Sequence, residues 1–181
     1  FGEHSLIVNI AERQPSAIWC RVLVPQPLQA SSSTEQQINE ELFDTLPIES
    51  CFFVDEQGFV FRQAPIFSGG PIATVYDQTI QGIKIKDNVT DEKTLAFILA
   101  AKKELKTINI NLVDFIIKSQ SLGDLEILTP ENWRIYLNIN DSVFDQIGAL
   151  KRVLEEEIKG KRSQLEYVDL RVTNRVYYKY K

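Results

Sequence analysis

The chain has 181 residues, 44% hydrophobic and 25% charged, which is the balance of a globular domain long enough to bury its own core. Its net charge of -5 and pI near 5.0 argue against a phosphate-binding nucleic-acid protein. The only dense basic stretch, Lys159, Lys161 and Arg162, follows directly on the acids Glu155, Glu156 and Glu157.

No apolar run approaches the roughly 18 residues of a membrane span, and no signal peptide is visible. The sequence contains no methionine, so the chain is expected to be a mature product or an excised piece of a longer protein.

Residues 5–10 alternate apolar and polar, and 17–24 form a second β-rich run after Pro15. Residues 25–49 change character, with two nearby prolines, a run of three serines and helix-forming residues over 35–43, and predict a surface excursion carrying one short helix. Two short apolar strands, 51–54 and 59–61, then flank the turn Asp55–Glu56–Gln57–Gly58, which is a hairpin signal. The sequence Ser68–Gly69–Gly70–Pro71 breaks the chain, and 80–85 reads as another strand.

A helix is predicted from Thr90, with Asp91 and Glu92 in its first turn and Lys102, Lys103 and Lys106 near its end, as the helix dipole favours. Residues 111–119, 125–128 and 134–139 predict three antiparallel strands. A second helix starts after Asp141 and Ser142, with Phe144, Ile147, Leu150, Leu154 and Ile158 on its apolar side and Gly160 as its stop. Residues 167–170 and 175–180 close the chain as β-branched and aromatic strands. About eight strands in consecutive groups, with two long helices, predict an α+β fold with a largely antiparallel twisted sheet rather than alternating βαβ units. Trp19, Phe53, Phe61 and Trp133 are expected to be at least partly buried.

The residues offer little chemistry. The one histidine, His4, lies at the start of the chain, away from any pattern that would place it in a pocket. No phosphate-cradling glycine loop is present. Cys20 and Cys51 lack the partners of a zinc site, so they are either two packed small residues or a disulfide, and spacing alone does not decide. Asp55 and Glu56, Asp91 and Glu92, and Glu155 to Glu157 are the paired carboxylates through which a hydrolase would work. A turn, a helix start and a solvated helix face account for them as well. The sequons Asn88–Val89–Thr90 and Asn140–Asp141–Ser142 sit at helix starts, where capping explains them. No cofactor, metal or catalytic residue is expected.

Three segments in order carry a resemblance. The first is Ile10–Ala11–Glu12–Arg13–Gln14–Pro15–Ser16–Ala17–Ile18–Trp19. The second is Phe52–Phe53–Val54–Asp55–Glu56–Gln57–Gly58–Phe59–Val60–Phe61, with Pro65–Ile66–Phe67–Ser68–Gly69 after it. The third is Leu165–Glu166–Tyr167–Val168–Asp169–Leu170–Arg171 followed by Val176–Tyr177–Tyr178–Lys179. They resemble, respectively, the Glu–Arg–x–Pro–x–Ala–x–Trp strand, the Val–Asp–x–x–Gly–x–Val–Phe hairpin and the closing strand pair of the FtsQ/DivIB family of bacterial cell-division proteins.

The resemblance implies that residues 1–14 are the last strand of a POTRA-like domain. It makes 15–181 the extracytoplasmic β domain, with an excursion at about 25–50 that is longer than the family usually has. It further implies a single-pass inner-membrane protein at the division septum, a non-enzymatic scaffold binding FtsB or DivIC and FtsL. The contact would lie at the C-terminal strand pair, on Arg171, Val172, Asn174, Arg175, Tyr177 and Tyr178, by addition of a partner strand to a sheet edge. In the alternative reading, Arg13, Asp169 and Arg171 form structural ion pairs. The rival function is a POTRA-associated binding module of a transport or outer-membrane assembly system.

Overall fold

The computed structural model describes residues 12–23, 47–66, 70–118 and 123–181. The expectations for 5–10, for most of the 25–50 excursion and for the residues before 12 lie outside them. Nine strands form one sheet: β1 (Ala17–Val22), β2 (Ile48–Val54), β3 (Val60–Ala64), β4 (Ala73–Asp77), β5 (Asp114–Ile117), β6 (Asp124–Leu128), β7 (Arg134–Asn138), β8 (Leu165–Asp169) and β9 (Tyr177–Tyr180). Their spatial order is β3-β2-β1-β4-β5-β6-β7-β8-β9. Helix α1 (Glu92–Thr107) connects β4 to β5, and helix α2 (Val143–Val153) lies between β7 and β8.

The fold is α+β with a mostly antiparallel sheet, of nine strands where about eight were expected, and three of its strand pairs depart from the antiparallel expectation. The pairs β1–β4, β4–β5 and β7–β8 are parallel. A parallel pair needs a long crossover, and for β4–β5 and β7–β8 the two helices supply it. Each helix therefore belongs to a βαβ unit set into an antiparallel frame.

Strand alternation divides the sheet into two faces. Ala17 and Trp19 of β1 join the main core with Leu95, Ile98 and Leu105 of α1 and Ile147 and Leu150 of α2. Ile18, Cys20 and Val22 point the other way, into a second cluster with Cys51, Tyr76 and Ile116. Trp19 and Trp133 are fully buried, and Phe53 and Phe61 are partly buried and stacked with ring centroids 6.4 Å apart. Cys20 and Cys51 are direct register partners across β1 and β2, with Cα atoms 4.1 Å apart, and they are joined as a disulfide.

Several local expectations need correction. The strand after the glycine-rich break is Ala73–Asp77, and 80–85 is irregular, with Ile83 its buried anchor. Asp91, rather than Thr90, caps α1: its carboxylate accepts from the Thr94 amide at 2.8 Å, and this bond holds its pKa below the usual carboxylate range. Helix α2 passes into a π-helical turn, Leu154–Ile158, and a 3-10 helix, Lys159–Gln164. The left-handed residue at that junction is Lys159, with φ 52°, and Gly160 lies within the 3-10 segment. Val143, not Phe144, starts the buried stripe of α2; Phe144 is 64% exposed.

The β2–β3 turn shows why its motif has the form it does. The Asp55 carboxylate, buried under the turn, accepts from the amides of Gln57 and Phe59, both at 3.0 Å, and pairs with Arg13. The Arg13 guanidinium lies 4.3 Å above the Phe59 ring, so one arginine ties the entering chain to the hairpin. Gly58 has φ +77°, and a Cβ there would meet the Thr90 carbonyl oxygen at 2.4 Å. Conformation and space both demand glycine.

Candidate interaction edge

The two ends of the sheet differ in how their backbone groups are used. At β3, the amide of Val60 donates to Asp87 and its carbonyl accepts from Lys86, while the Val89 amide donates to Gly58 and Phe59 bridges to Asn88. The loop 84–89 thus closes the start of that edge. At the other end β9 pairs with β8 on one side only, and among the described residues no strand lies beyond it.

The geometry of this open edge is set by β8. Val168 and Leu170 are buried in the main core, while Tyr167 and Asp169 turn to the opposite face. A register shift between Leu165 and Tyr167 lets Leu165 enter the same core despite its different parity. Just past the strand, Arg171 folds back onto the sheet. Its Nε and Nη2 donate to the two oxygens of Asp169 at 2.9 and 2.6 Å, and Nη1 donates to Asp124 at 2.7 Å. Its guanidinium also lies 5.0 Å above the Tyr136 ring. The hydrogen bonds that Arg171 donates to Asp169 raise the Arg171 pKa above its ordinary value. Burial pushes the Asp169 carboxyl up, but the bonds from Arg171 outweigh it and hold the group below the usual carboxylate range.

Beside this triad the sheet face carries a second charged group. Glu126, only 3% exposed, is met by Lys118 and Arg134, each at 2.7 Å. Lys118, Glu126, Asp124, Asp169 and Arg171 line a shallow cleft of about 320 Å³ together with Tyr136 and Tyr167, which pack edge to face at 5.8 Å. Lys118, Arg134 and Arg171 balance Asp124, Glu126 and Asp169 in formal charge. Such paired groups fix the shape of a surface and orient a neighbour.

The predicted contact residues fall into three settings. Arg171 belongs to the ion triad, so the structural role weighed for it and for Asp169 is present, as it is for Arg13 with Asp55. Val172, Asn174 and Arg175 lie in the β8–β9 connection rather than along a strand, which moves the pairing edge to Tyr177–Tyr180. The Arg175 amide donates to Val172 at 3.0 Å, and Asn174 takes the left-handed φ of 63° that asparagine tolerates. Tyr177 and Tyr178 are on β9 itself, 47% and 38% exposed. Lys179 pairs with Glu166 at 2.7 Å, and the Lys181 amide donates to Gln164 at 2.9 Å, which pins the far end of the strand.

The cleft residues Lys118, Asp124 and Glu126, and Arg134 that pairs with Glu126, were not singled out from sequence. One signal existed: Glu126 stands alone between Leu125 and Ile127 in an apolar strand, a position that demands a buried cation beside it. The carboxylate pairs weighed for catalysis are scattered. Asp55 holds a turn, Asp91 caps α1, and Glu155 lies 4.0 Å from Lys151 on a solvated helix face. Among the described residues no group of three or more His, Cys, Asp or Glu side chains could hold a metal ion, and no helix is long and apolar enough to cross a membrane. His4 lies outside the described residues. No protein-family profile matches the chain, and no curated protein matches it.

Proposed function

We propose that this chain is the extracytoplasmic β domain of a cell-division protein of the FtsQ/DivIB type. In this reading it is a non-enzymatic scaffold of the divisome, held in the inner membrane by a segment outside this sequence. It takes up a strand of FtsB or DivIC, with FtsL alongside, on the outer side of β9. The observation that carries the reading is the edge at Tyr177–Tyr180, open among the described residues, which follows the Tyr167–Val168–Asp169–Leu170–Arg171 motif across the connection 172–176. Backbone groups along such an edge supply affinity, and alternate side chains supply specificity. Tyrosines bring large, rigid contact area, and β9 carries three of them. The Cys20–Cys51 bond fits a domain that folds in an oxidising compartment.

The test is calorimetric titration with the cognate FtsB or DivIC ectodomain. Removing residues 172–181 abolishes binding in this account, and the exposed pair Tyr177→Ala, Tyr178→Ala weakens it at least tenfold without the risk to folding that the deletion carries. Undiminished affinity in the double variant would sink the edge reading.

A further inference from the structure

Another cavity, of about 340 Å³, opens where α1 and α2 come to their ends. It is lined by Thr107 to Asn109, at the close of α1, and by the last turn of α2 and the segment after it. It shares no residue with the charged cleft or with β9. Three cations line it, Lys151, Lys159 and Arg162, against one acid, Glu155, which gives the lining a formal charge of +2 in a chain whose net charge is -5. Helix C-termini attract cations, but the carbonyls that end α1 are already used. Glu104 accepts from the Thr107 hydroxyl at 2.6 Å, Leu105 from the Ile108 and Ile110 amides at 3.1 and 3.0 Å, and Lys106 from the Asn109 amide at 3.2 Å.

The three cations are held differently. Arg162 is fixed in place: its Nε lies 2.9 Å from a Glu131 oxygen that also accepts from the indole N–H of the buried Trp133 at 3.1 Å. Its Nη2 donates to the Asn109 carbonyl at 3.3 Å, and the guanidinium lies 5.7 Å above the Trp133 ring. Glu131 offsets part of its charge, yet these contacts engage only Nε and Nη2, and the group keeps further N–H donors for a ligand. A donor fixed in advance has a low ordering cost on binding. Lys159 stands at the end of the π-helical turn, where its amide donates to the Leu154 carbonyl, and π turns recur at functional sites. It has φ 52° and ψ -126°, which glycine adopts readily and a residue with a side chain adopts only under strain. Its side chain is exposed, and among the described residues its ammonium pairs with no carboxylate. Lys151 faces Glu155 at 4.0 Å with both more than half exposed, a contact too weak to hold either.

We propose that this cavity binds a phosphate group, with Arg162 as the fixed anchor and Lys151 and Lys159 closing on its oxygens. A phosphate monoester, at about -1.5 to -2, matches the +2 of the lining, and a planar guanidinium with two ammonium groups suits phosphate oxygens. The site does not depend on the edge reading of β9. The test titrates inorganic phosphate into the 15N-labelled domain at constant ionic strength, since screening alone moves surface charges. Saturable amide shifts are expected at Asn109, Lys159 and Arg162. The double variant Lys151→Gln, Lys159→Gln, whose side chains hold nothing else in place, is expected to bind at least about tenfold more weakly with an unchanged melting curve. A control, Lys84→Gln with Lys86→Gln, removes the same charge from the exposed loop 84–89 and is expected to stay within about twofold. Sedimentation with vesicles of phosphatidic acid in phosphatidylcholine then separates the sources. Pelleting that only the Lys151, Lys159 variant loses assigns a lipid headgroup, and saturable phosphate binding without pelleting assigns a free phosphate. Shifts that do not saturate, or equal weakening in the two double variants, would overturn the site.

Discussion

The two edges of this sheet are made of similar material and treated in opposite ways. Both β3 and β9 are short, carry aromatic and cationic residues, and pair with one antiparallel neighbour. At β3, however, the loop 84–89 bends across the strand and uses its first backbone groups, and Gly58 is the residue that lets the loop approach. At β9, among the described residues, only the inner side is secured, through Lys181 to Gln164 and Lys179 to Glu166. An edge left open is a hazard unless it has a use. The contrast teaches that exposure at β9 is not a general looseness of this fold, because the same chain closes the start of the edge at the other end.

Changes around the closed end should act on stability. The largest effect is expected for Trp19→Ala in β1, which empties a fully buried site and leaves the Asp77 carboxylate without the indole N–H that donates to it at 2.9 Å. Loss of about 3–5 kcal/mol, seen as a melting temperature lower by about 5–10 °C or more, is the expected result. Gly58→Ala should cost about 2–3 kcal/mol, since the left-handed conformation and the Thr90 carbonyl both resist a Cβ. It should also raise amide exchange at Val60, whose bond to Asp87 depends on the loop staying in place.

The open end should respond to pH instead. The folded Asp169 carboxyl lies below its unfolded value, so its contribution is complete above the ordinary carboxylate range, about pH 4, and is lost as pH falls through the folded pKa. Denaturant midpoints should therefore drop more steeply for the wild type than for Asp169→Asn on acidification from about pH 5 to pH 2. Equal slopes would show that the Arg171 triad adds nothing to stability.

How much of this was legible in the sequence depends on whether the deciding interaction is local. The β2–β3 hairpin could be read because Asp55 and Gly58 make the turn within five residues. Strand β4 could not: all five of its residues are buried, including Thr74 and Asp77, so it has no alternation to detect. The apolar spacing over 80–85 imitated a strand, yet only Ile83 is buried there. In α2 the choice between Val143 and Phe144 shifts the apolar stripe by one residue, and periodicity alone favours neither. The cysteine pairing and the charged cleft were open for a common reason. Both depend on register between strands far apart in the chain, which sets Cys20 opposite Cys51 and brings Arg171 to Asp124.

The central claim, that one edge is kept open for a partner strand and the other is not, is tested most directly by amide hydrogen exchange of the domain with and without the FtsB or DivIC ectodomain. The account predicts new protection at Tyr177–Tyr180 on binding, with the β3 residues Val60–Ala64 unchanged. Protection gained at Val60–Ala64, or none gained at β9 under saturating partner, would contradict it.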